Sequence, residues 1–143
     1  STTVSLSKVR PFMYLIKVKP TIKVLYIKNG IKKNFVVLDA GMTELMRPAL
    51  YQAYHQIENI SKADSSKLKA ESVGDSQISG LTSTISYDVV GPICESSDCF
   101  GKEINMPETK REDLIALRTS GAYGEVMASG YNLRPAIRHV YTD

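Results

Sequence analysis

Two β-branched runs on either side of an Asn-Gly pair place the strongest constraint on the fold of this chain. Residues 22–27 and 35–38 alternate in part between apolar and polar side chains, as half-buried strands do. Asn29-Gly30 lies between them and predicts a type I′ turn, because both residue types accept a positive φ. The region therefore predicts an antiparallel hairpin whose lysine-rich tip lies in water.

Further strands and one helix are predicted after the hairpin. β-branched residues predict strands at residues 85–90 and 114–118. A helix is predicted from Arg47 to about Asn59, with Pro48 in its first turn. The apolar stripe of this helix consists of three residues at helical spacing, Leu50, Tyr54 and Ile57. We therefore expect a mainly β fold with one short helix.

The length and composition are those of a single globular domain. The 143 residues are 43% hydrophobic and 23% charged, which is ordinary for a chain that buries a core. A net charge of +3 on scattered lysines gives no reason to expect a nucleic-acid partner. The apolar run at residues 11–16 is too short for a membrane span or a secretory segment, so we expect no membrane association and a cytoplasmic location. Residues 61–84 are serine-rich and aperiodic, and predict a mobile loop.

A thiol follows one of the predicted strands, in the sequence GPICESSDC at residues 91–99. Cys94 and Cys99 lack a second Cys or His pair at metal-ligand spacing, so no metal site is predicted. His55 and His139 stand alone, and we expect each to lie on the surface or on a helix face. The chemistry of this turn therefore depends on the thiol itself.

The nearest charged neighbours of Cys94 are acidic, namely Glu95 and Asp98. Nearby negative charge favours the protonated thiol, whereas a nucleophilic cysteine needs a cationic neighbour. Cys94 is therefore better suited to giving a proton than to attacking a substrate. The alternative is a small apolar cysteine buried in the core.

Arg47 and Tyr51 are one helical turn apart and share a face of the predicted helix. A guanidinium beside a phenol is a suitable clamp for a carboxylate, because its planar fork matches two oxygens at once. The alternative is a surface arginine that lies over the tyrosine ring. Tyr123 stands between Gly121 and Gly124, and such glycines allow either the close approach of a ligand or a tight turn.

Three segments together resemble one known family. They are DAGMTELMRPALYQAYH (39–55), YDVVGPICESSDCFGK (87–102) and GAYGEVMASGYNLRP (121–135). In this order they are similar to the C-terminal domain of diaminopimelate decarboxylase, a pyridoxal-phosphate enzyme family of the alanine-racemase-like fold type. That family removes carbon dioxide from meso-diaminopimelate to form lysine. The resemblance implies that residues 22–141 form a β-barrel or sandwich-like domain with one short helix, whereas residues 1–21 have no counterpart.

The resemblance also implies a role for each candidate residue. Cys94 corresponds to the acid that protonates the substrate carbon after carbon dioxide leaves. Glu95 corresponds to the residue that binds the ammonium group at the far end of the substrate. Arg47 and Tyr51 correspond to the pair that holds the distal carboxylate. Tyr123 corresponds to a residue that contacts both the substrate and the cofactor, pyridoxal 5′-phosphate.

The family's second domain, a β/α barrel of about 250 residues, has no counterpart in this chain. The lysine that attaches the cofactor and the glycine-rich phosphate site belong to that barrel. We therefore expect this chain to work with a barrel domain in cis or in trans, within a homodimer whose subunits complete each other's sites. One alternative is a decarboxylase of ornithine, arginine or carboxynorspermidine; an ornithine enzyme is expected to carry Asp in place of Glu95 and no Arg47–Tyr51 clamp. The other alternative is a non-catalytic binding or dimerisation module.

Without the barrel, an apolar surface is expected to be exposed. We expect it to consist of Pro92, Ile93, Phe100, Tyr123 and Tyr131. The first strand is expected to be an unpaired sheet edge, because the family segment that precedes it is missing. Both features predict self-association of the isolated domain.

Overall fold

One six-stranded sheet dominates the computed structural model, which describes residues 22–62 and 83–136. In chain order its strands are β1 (Ile22–Asn29), β2 (Asn34–Leu38), β3 (Ile57–Asn59), β4 (Thr84–Val90), β5 (Cys99–Pro107) and β6 (Leu114–Leu117). They lie side by side in the order β3-β6-β1-β2-β4-β5. Two short helices, α1 (Arg47–Tyr51) and α2 (Gly121–Val126), and a 3₁₀ turn at Tyr131–Leu133 complete the described fold.

The sheet curls so that its two edge strands approach each other. A Cβ atom added to Gly101 of β5 would lie 3.1 Å from the Ile57 Cδ1 atom of β3, so the side chains of both edges share one core. The core combines residues of all six strands with two from the loop after β2; among them Val24, Val36, Leu38 and Val89 are fully buried. The mainly β, barrel-like fold class is therefore confirmed, with α2 as a second short helix.

The predicted hairpin is confirmed, but its turn lies one residue later than expected. β1 and β2 pair antiparallel, and Asn29 is a strand residue opposite Asn34. The Gly30 N–H donates to the Lys33 carbonyl oxygen (N···O 2.9 Å) and closes a longer turn than the predicted type I′ pair. A Cβ at position 30 would lie 2.7 Å from that same oxygen, which explains the glycine. The type I′ assignment at Asn29-Gly30 is therefore wrong.

The first strand is not a sheet edge, which corrects a second expectation. β1 lies between β2 and β6 and pairs antiparallel with both. The edges are β3 and β5 instead. β1 gained its second neighbour because β6, far along the chain, places Ile115 opposite Ile22 and buries both side chains. Such long-range pairing leaves no signal in the β1 segment itself.

The helix predicted from Arg47 to about Asn59 is wrong beyond its first turns. α1 ends at Tyr51, and Gln52 adopts a left-handed conformation (φ 53°) that stops the helix. Ile57 then belongs to β3, where it pairs with Leu117 and is 7% exposed. The three residues of the predicted apolar stripe therefore lie in three different parts of the chain. Leu50 belongs to α1, Ile57 belongs to β3, and Tyr54 lies in the connection between them and is 80% exposed. Periodicity over one short segment was outweighed by pairing with β6.

Several further predictions are confirmed or corrected by the strands. The strands predicted at 85–90 and 114–118 are confirmed as β4 and β6, with ends shifted by one residue. The long strand β5 was not predicted, because glycine and charged residues interrupt its apolar pattern and Glu103 has a positive φ of 55°. The expected surface position of His55 is wrong, since its ring is 2% exposed and its Nδ1 lies 3.1 Å from the Arg118 carbonyl oxygen.

The remaining sequence-based statements concern residues that the structure does not describe. The segment 1–21, nearly all of the predicted loop at 61–84, and His139 lie outside the described residues. Within the described ranges, no helix is long and apolar enough to cross a membrane.

Candidate functional site

The segments that carry the candidate residues lie at one end of the sheet because three strands point the same way. β2 and β4 pair parallel, while β1 runs antiparallel to both β2 and β6. The carboxyl ends of β2, β4 and β6 therefore lie at the same end of the sheet. The segment after β2 carries Arg47 and Tyr51, the turn after β4 carries Cys94 and Glu95, and the segment after β6 carries Tyr123.

The turn after β4 presents Cys94 and Glu95 to solvent. The Gly91 N–H donates to the Asp98 carbonyl oxygen (N···O 3.0 Å), and the Asp98 N–H donates to the Glu95 carbonyl oxygen (3.1 Å). These bonds close the chain on itself, with Asp98 buried inside and both Cys94 and Glu95 exposed. The alternative of a buried structural cysteine is therefore wrong for Cys94. Cys99 is half-buried, and this partial burial raises the pKa of its thiol.

The expected apolar surface is only partly present. Pro92, Tyr123 and Tyr131 are exposed, as predicted. Ile93 and Phe100 are 7% and 5% exposed, so their assignment to that surface is wrong. Phe100 belongs to the core of the sheet, and Ile93 points inward, where its Cδ1 atom would lie 2.7 Å from a Cβ at Gly41.

Arg47 contacts Tyr123 across the site. Its guanidinium carbon lies 5.9 Å from the centroid of the Tyr123 ring, within the range of a cation–π interaction. The alternative in which Arg47 lies over the Tyr51 ring is therefore wrong, because Arg47 lies over the Tyr123 ring instead. Tyr51 is at the other end of α1 and is 63% exposed. This contact brings the segments after β2 and β6 together at Arg47 and Tyr123, two of the four residues predicted to bind substrate.

A second contact joins the segment after β6 to the turn after β4. The Tyr131 hydroxyl donates a hydrogen bond of 2.6 Å to Glu95 Oε1. This bond to a carboxylate raises the pKa of Tyr131, because ionisation would place two negative charges side by side. Sequence reasoning did not assign Tyr131 a partner, since Glu95 is 36 residues away along the chain.

Two buried carboxylates support the segments that carry these residues. Glu44 Oε2 accepts hydrogen bonds from the Gly41 N–H (2.7 Å) and the Thr43 hydroxyl (2.8 Å). Arg134 donates to Glu44 Oε1 (3.0 Å). Asp98 accepts from two backbone N–H groups, one of them in the segment after β2. Neither Glu44 nor Asp98 is identifiable from sequence as buried, because a carboxylate is ordinarily expected on the surface.

The described residues fit a contact with a pyridoxal cofactor but not its attachment. Tyr123 is 66% exposed, so its phenol is accessible to a ligand. Every lysine in the described ranges is exposed, namely Lys23, Lys28, Lys32, Lys33, Lys62, Lys102 and Lys110. A lysine that attaches a carbonyl cofactor is one that has lost its proton, usually through burial or a cationic neighbour. This part of the chain therefore fits a contact with the cofactor through Tyr123 but not its covalent attachment.

No group of three His, Cys, Asp or Glu side chains in residues 22–62 and 83–136 could hold a metal ion. The acidic side chains of the site act on backbone groups and on Tyr131 instead. The chemistry available here is that of the Cys94 thiol, the Glu95 carboxylate, the Arg47 guanidinium and the phenols of Tyr51, Tyr123 and Tyr131.

Comparison with known proteins places this arrangement in a family. The model of the C-terminal sheet domain of pyridoxal-dependent decarboxylases matches residues 21–121. This chain belongs to that family. The resemblance found in the sequence is therefore confirmed, and pyridoxal is the cofactor of the family.

Relatives within the pyridoxal-dependent decarboxylase family align with about four fifths of this chain. Diaminopimelate decarboxylase of Bacteroides thetaiotaomicron is 57% identical over 112 residues, which are 78% of this chain and 24% of the relative. That of Helicobacter pylori strain J99 is 44% identical over 115 residues, or 80% of this chain and 24% of the relative. The chain thus spans about a quarter of the length of these relatives.

Solved structures of decarboxylases share the fold of this chain. The crystal structure of diaminopimelate decarboxylase from Helicobacter pylori complexed with L-lysine has a TM-score of 0.65 and is 40% identical, covering 82% of this chain and 24% of that chain. Lysine/ornithine decarboxylase from Vibrio vulnificus, solved with cadaverine, has a TM-score of 0.60 at 19% identity over 82% of this chain and 28% of that chain, a likeness of fold alone.

Proposed function

We propose that this chain is the sheet domain of a diaminopimelate decarboxylase and completes the active site of a pyridoxal-binding barrel. The observation that supports this most directly is that the segments after β2, β4 and β6, which carry the five candidate residues, lie at one end of the sheet, where Arg47 contacts Tyr123. The 57% identity to a diaminopimelate decarboxylase supports the same assignment. The barrel is supplied in cis or in trans, and the working unit is a homodimer in the cytoplasm.

Arg47 and Tyr51 bind the distal carboxylate of meso-diaminopimelate. The guanidinium of Arg47 offers two parallel N–H donors that match the two oxygens of a carboxylate. Its position over the Tyr123 ring limits its rotamers before substrate arrives, which reduces the entropy lost on binding. Tyr51 lies one turn away on α1 with an exposed hydroxyl that can add a third hydrogen bond.

Glu95 binds the distal ammonium group. A carboxylate with one oxygen held by Tyr131 retains its other oxygen for a cation. Diaminopimelate differs from ornithine in carrying both a carboxylate and an ammonium at its far end. A site with Arg47 and Glu95 recognises both groups, whereas ornithine would leave the guanidinium without a partner. This pairing favours diaminopimelate over ornithine as the substrate.

Cys94 holds the proton that replaces carbon dioxide. When the bond to the carboxylate carbon breaks, its electron pair remains on the substrate side, and pyridoxal phosphate, when bound, stabilises that charge as an electron sink. The S–H bond of Cys94 then breaks as a new C–H bond forms, and the thiolate regains its proton from water. The exposure of Cys94 at the rim of the turn suits both the delivery and the reloading of the proton.

Tyr123 contacts the cofactor and the substrate from the sheet side. Its phenol is exposed, and a phenol can donate a hydrogen bond to a phosphate oxygen. Its ring also lies under Arg47, so one residue borders both the cofactor and the carboxylate subsite. The lysine that attaches the cofactor comes from the barrel.

A domain exchange tests this proposal directly. The matching sheet domain of the Bacteroides thetaiotaomicron enzyme is replaced by residues 22–136, and lysine formation from meso-diaminopimelate is measured. We expect an active chimera that prefers meso-diaminopimelate to ornithine, and a matched Cys94→Ala chimera that folds and binds the cofactor but forms lysine far more slowly. A folded, cofactor-loaded chimera without decarboxylase activity would support a non-catalytic module instead.

A further inference from the structure

Tyr131 lies in a short turn that is anchored at both ends. The Ser129 N–H donates to the Thr43 carbonyl oxygen (N···O 3.0 Å). At the other end, Arg134 donates to Glu44 Oε1 (3.0 Å). Thr43 and Glu44 are 1% and 5% exposed, so both anchors belong to the interior. The chain from Ser129 to Arg134, called the Tyr131 turn, is therefore fixed on either side of Tyr131.

The backbone of the Tyr131 turn is strained. Asn132 and Leu133 both adopt left-handed dihedrals, with φ of 58° and 57°. Asparagine tolerates this region, whereas leucine rarely adopts it. Leu133 is 99% exposed, so burial of its side chain does not offset the strain. Such a conformation persists only where the surrounding contacts over-determine it, and it is most common at functional sites. The strain therefore points to a role for the side chain that this turn presents.

That side chain is the phenol of Tyr131. Its hydroxyl donates to Glu95 Oε1 across 2.6 Å, a short bond of the kind that a charged acceptor forms. This hydrogen bond is the main reason that the pKa of Tyr131 is raised, and the charges of Glu95 and Cys94 act in the same direction. The phenol therefore keeps its proton and remains a donor to Glu95, also while Cys94 carries a negative charge.

The hydrogen bond restricts the Glu95 carboxylate. An exposed glutamate has three rotatable side-chain bonds and loses considerable entropy when it is fixed in one rotamer. The bond to Tyr131 engages Oε1 and selects among these rotamers, and the carboxylate has a second oxygen for another donor. A carboxylate that is already held in its binding geometry loses less entropy when a cation arrives.

We propose that Tyr131 is a positioning residue that holds the Glu95 carboxylate ready for the distal ammonium group of the substrate. This inference rests on the proposed function, in which Glu95 binds that ammonium. Tyr131 acts through Glu95, so it contributes to recognition of the far end of the substrate and not to the chemistry at the reacting carbon. Loss of its hydroxyl should therefore affect only substrates that carry a distal ammonium.

The first measurement concerns the order of Glu95 in the chain itself, with no substrate or cofactor. The parent is compared with Tyr131→Phe, which removes only the hydroxyl, and with Tyr26→Phe, a matched control at an exposed tyrosine of β1. NMR relaxation of the Glu95 side-chain carbons reports how strongly the carboxylate is ordered. We expect these carbons to become more mobile in Tyr131→Phe and to stay as they are in Tyr26→Phe. Unchanged mobility of Glu95 in Tyr131→Phe would overturn the proposal.

The second measurement uses the domain chimera with two substrates. One is meso-diaminopimelate, and the other is 2-aminopimelate, which keeps the distal carboxylate but lacks the distal ammonium. We expect Tyr131→Phe to lower kcat/KM for meso-diaminopimelate by about tenfold, as for the loss of a hydrogen bond to a charged group, and to change kcat/KM for 2-aminopimelate by less than about twofold. In a Glu95→Ala background Tyr131→Phe should have no further effect, because the residue through which it acts is gone.

Three kinetic results would contradict the proposal. They are equal losses for the two substrates, no loss for either, and a further loss in the Glu95→Ala background. Each would show that Tyr131 does not act on the substrate through Glu95. An inactive parent chimera would count against the proposed function instead, and the relaxation measurement would still decide whether Tyr131 holds Glu95.

Discussion

The Tyr131 hydroxyl and Glu95 Oε1 lie 2.6 Å apart, although 36 residues separate them in the chain. This hydrogen bond holds one oxygen of the carboxylate that is proposed to bind the substrate ammonium. It also ties the segment after β6 to the turn after β4. Because both side chains are exposed, the contact is open to a direct spectroscopic test.

The first prediction concerns the ionisation of Tyr131. Its pKa is raised by the hydrogen bond to Glu95, so Glu95→Gln is expected to lower the pKa of Tyr131 towards the ordinary tyrosine value. NMR titration of the tyrosine ring carbons measures this. Tyr26, an exposed tyrosine of strand β1, provides the control resonance and should not move. An unchanged Tyr131 titration in Glu95→Gln would show that the bond is absent in solution.

The second prediction separates chemistry from binding in the domain chimera. Cys94→Ala removes the proton donor, so kcat should fall by about 10²–10⁴-fold with little change in KM. Arg47→Ala removes a contact to a remote carboxylate and should mainly raise KM, although remote binding energy can also contribute to kcat. Steady-state kinetics with meso-diaminopimelate measure both variants. A small, equal effect of the two substitutions would remove Cys94 from the proposed chemistry.

The third prediction is a pH dependence of stability from the Lys33–Asp88 ion pair, whose atoms lie 3.1 Å apart. Burial raises the pKa of Asp88, but the Glu103 N–H and Lys33 outweigh it and leave the pKa below its usual value. A depressed carboxyl pKa stabilises the fold above the unfolded pKa, and this stabilisation is lost as the pH falls through the folded value. Lys33→Met should therefore lower the denaturation midpoint at neutral pH.

The difference between Lys33→Met and the parent should shrink as acid protonates Asp88. Denaturant unfolding over a pH series measures it, and Lys32→Met on the same exposed turn is the matched control. A loss that stays constant down to low pH would mean that the Lys33 substitution acts through something other than the charge of Asp88.

The fourth prediction concerns self-association of the chain without a barrel. Large apolar side chains are exposed on the elements of the site end, namely Leu50, Tyr51, Tyr123, Val126 and Leu133. Exposed apolar patches of this kind mark contact surfaces. We expect analytical ultracentrifugation to show concentration-dependent association, and Leu50→Lys with Val126→Lys to weaken it.

The hairpin tip supplies the control for that experiment. Ile31 is fully exposed but lies at the opposite end of the sheet, where β2 begins. Ile31→Lys should therefore leave the association unchanged. A monomer at every concentration, or an equal effect of Ile31→Lys, would show that the site end is not the surface through which copies meet.

Local pattern determined a definite part of this protein. The hairpin, β4 and β6 follow from β-branched runs, because a strand with one buried face shows its period within a few residues. The exposure of Cys94 and Glu95 follows from a turn that Gly91-Pro92 begins. The family resemblance also required only the residues of three short segments.

The tertiary structure decided what no single segment contains. Residues 57–59 became a strand because β6 was available to pair with them, which overrode a helical period. The parallel pairing of β2 with β4, and the antiparallel pairing of β1 with β2 and β6, placed three loops at one end of the sheet. Asp98 found its second N–H donor 56 residues away, and Arg47 met the Tyr123 ring, so the site exists only once the chain has closed over these distances. The period of apolar residues can be read within one segment of the sequence. The hydrogen-bond donors of a buried charge and the neighbours of a strand come from distant segments, so they depend on the whole fold.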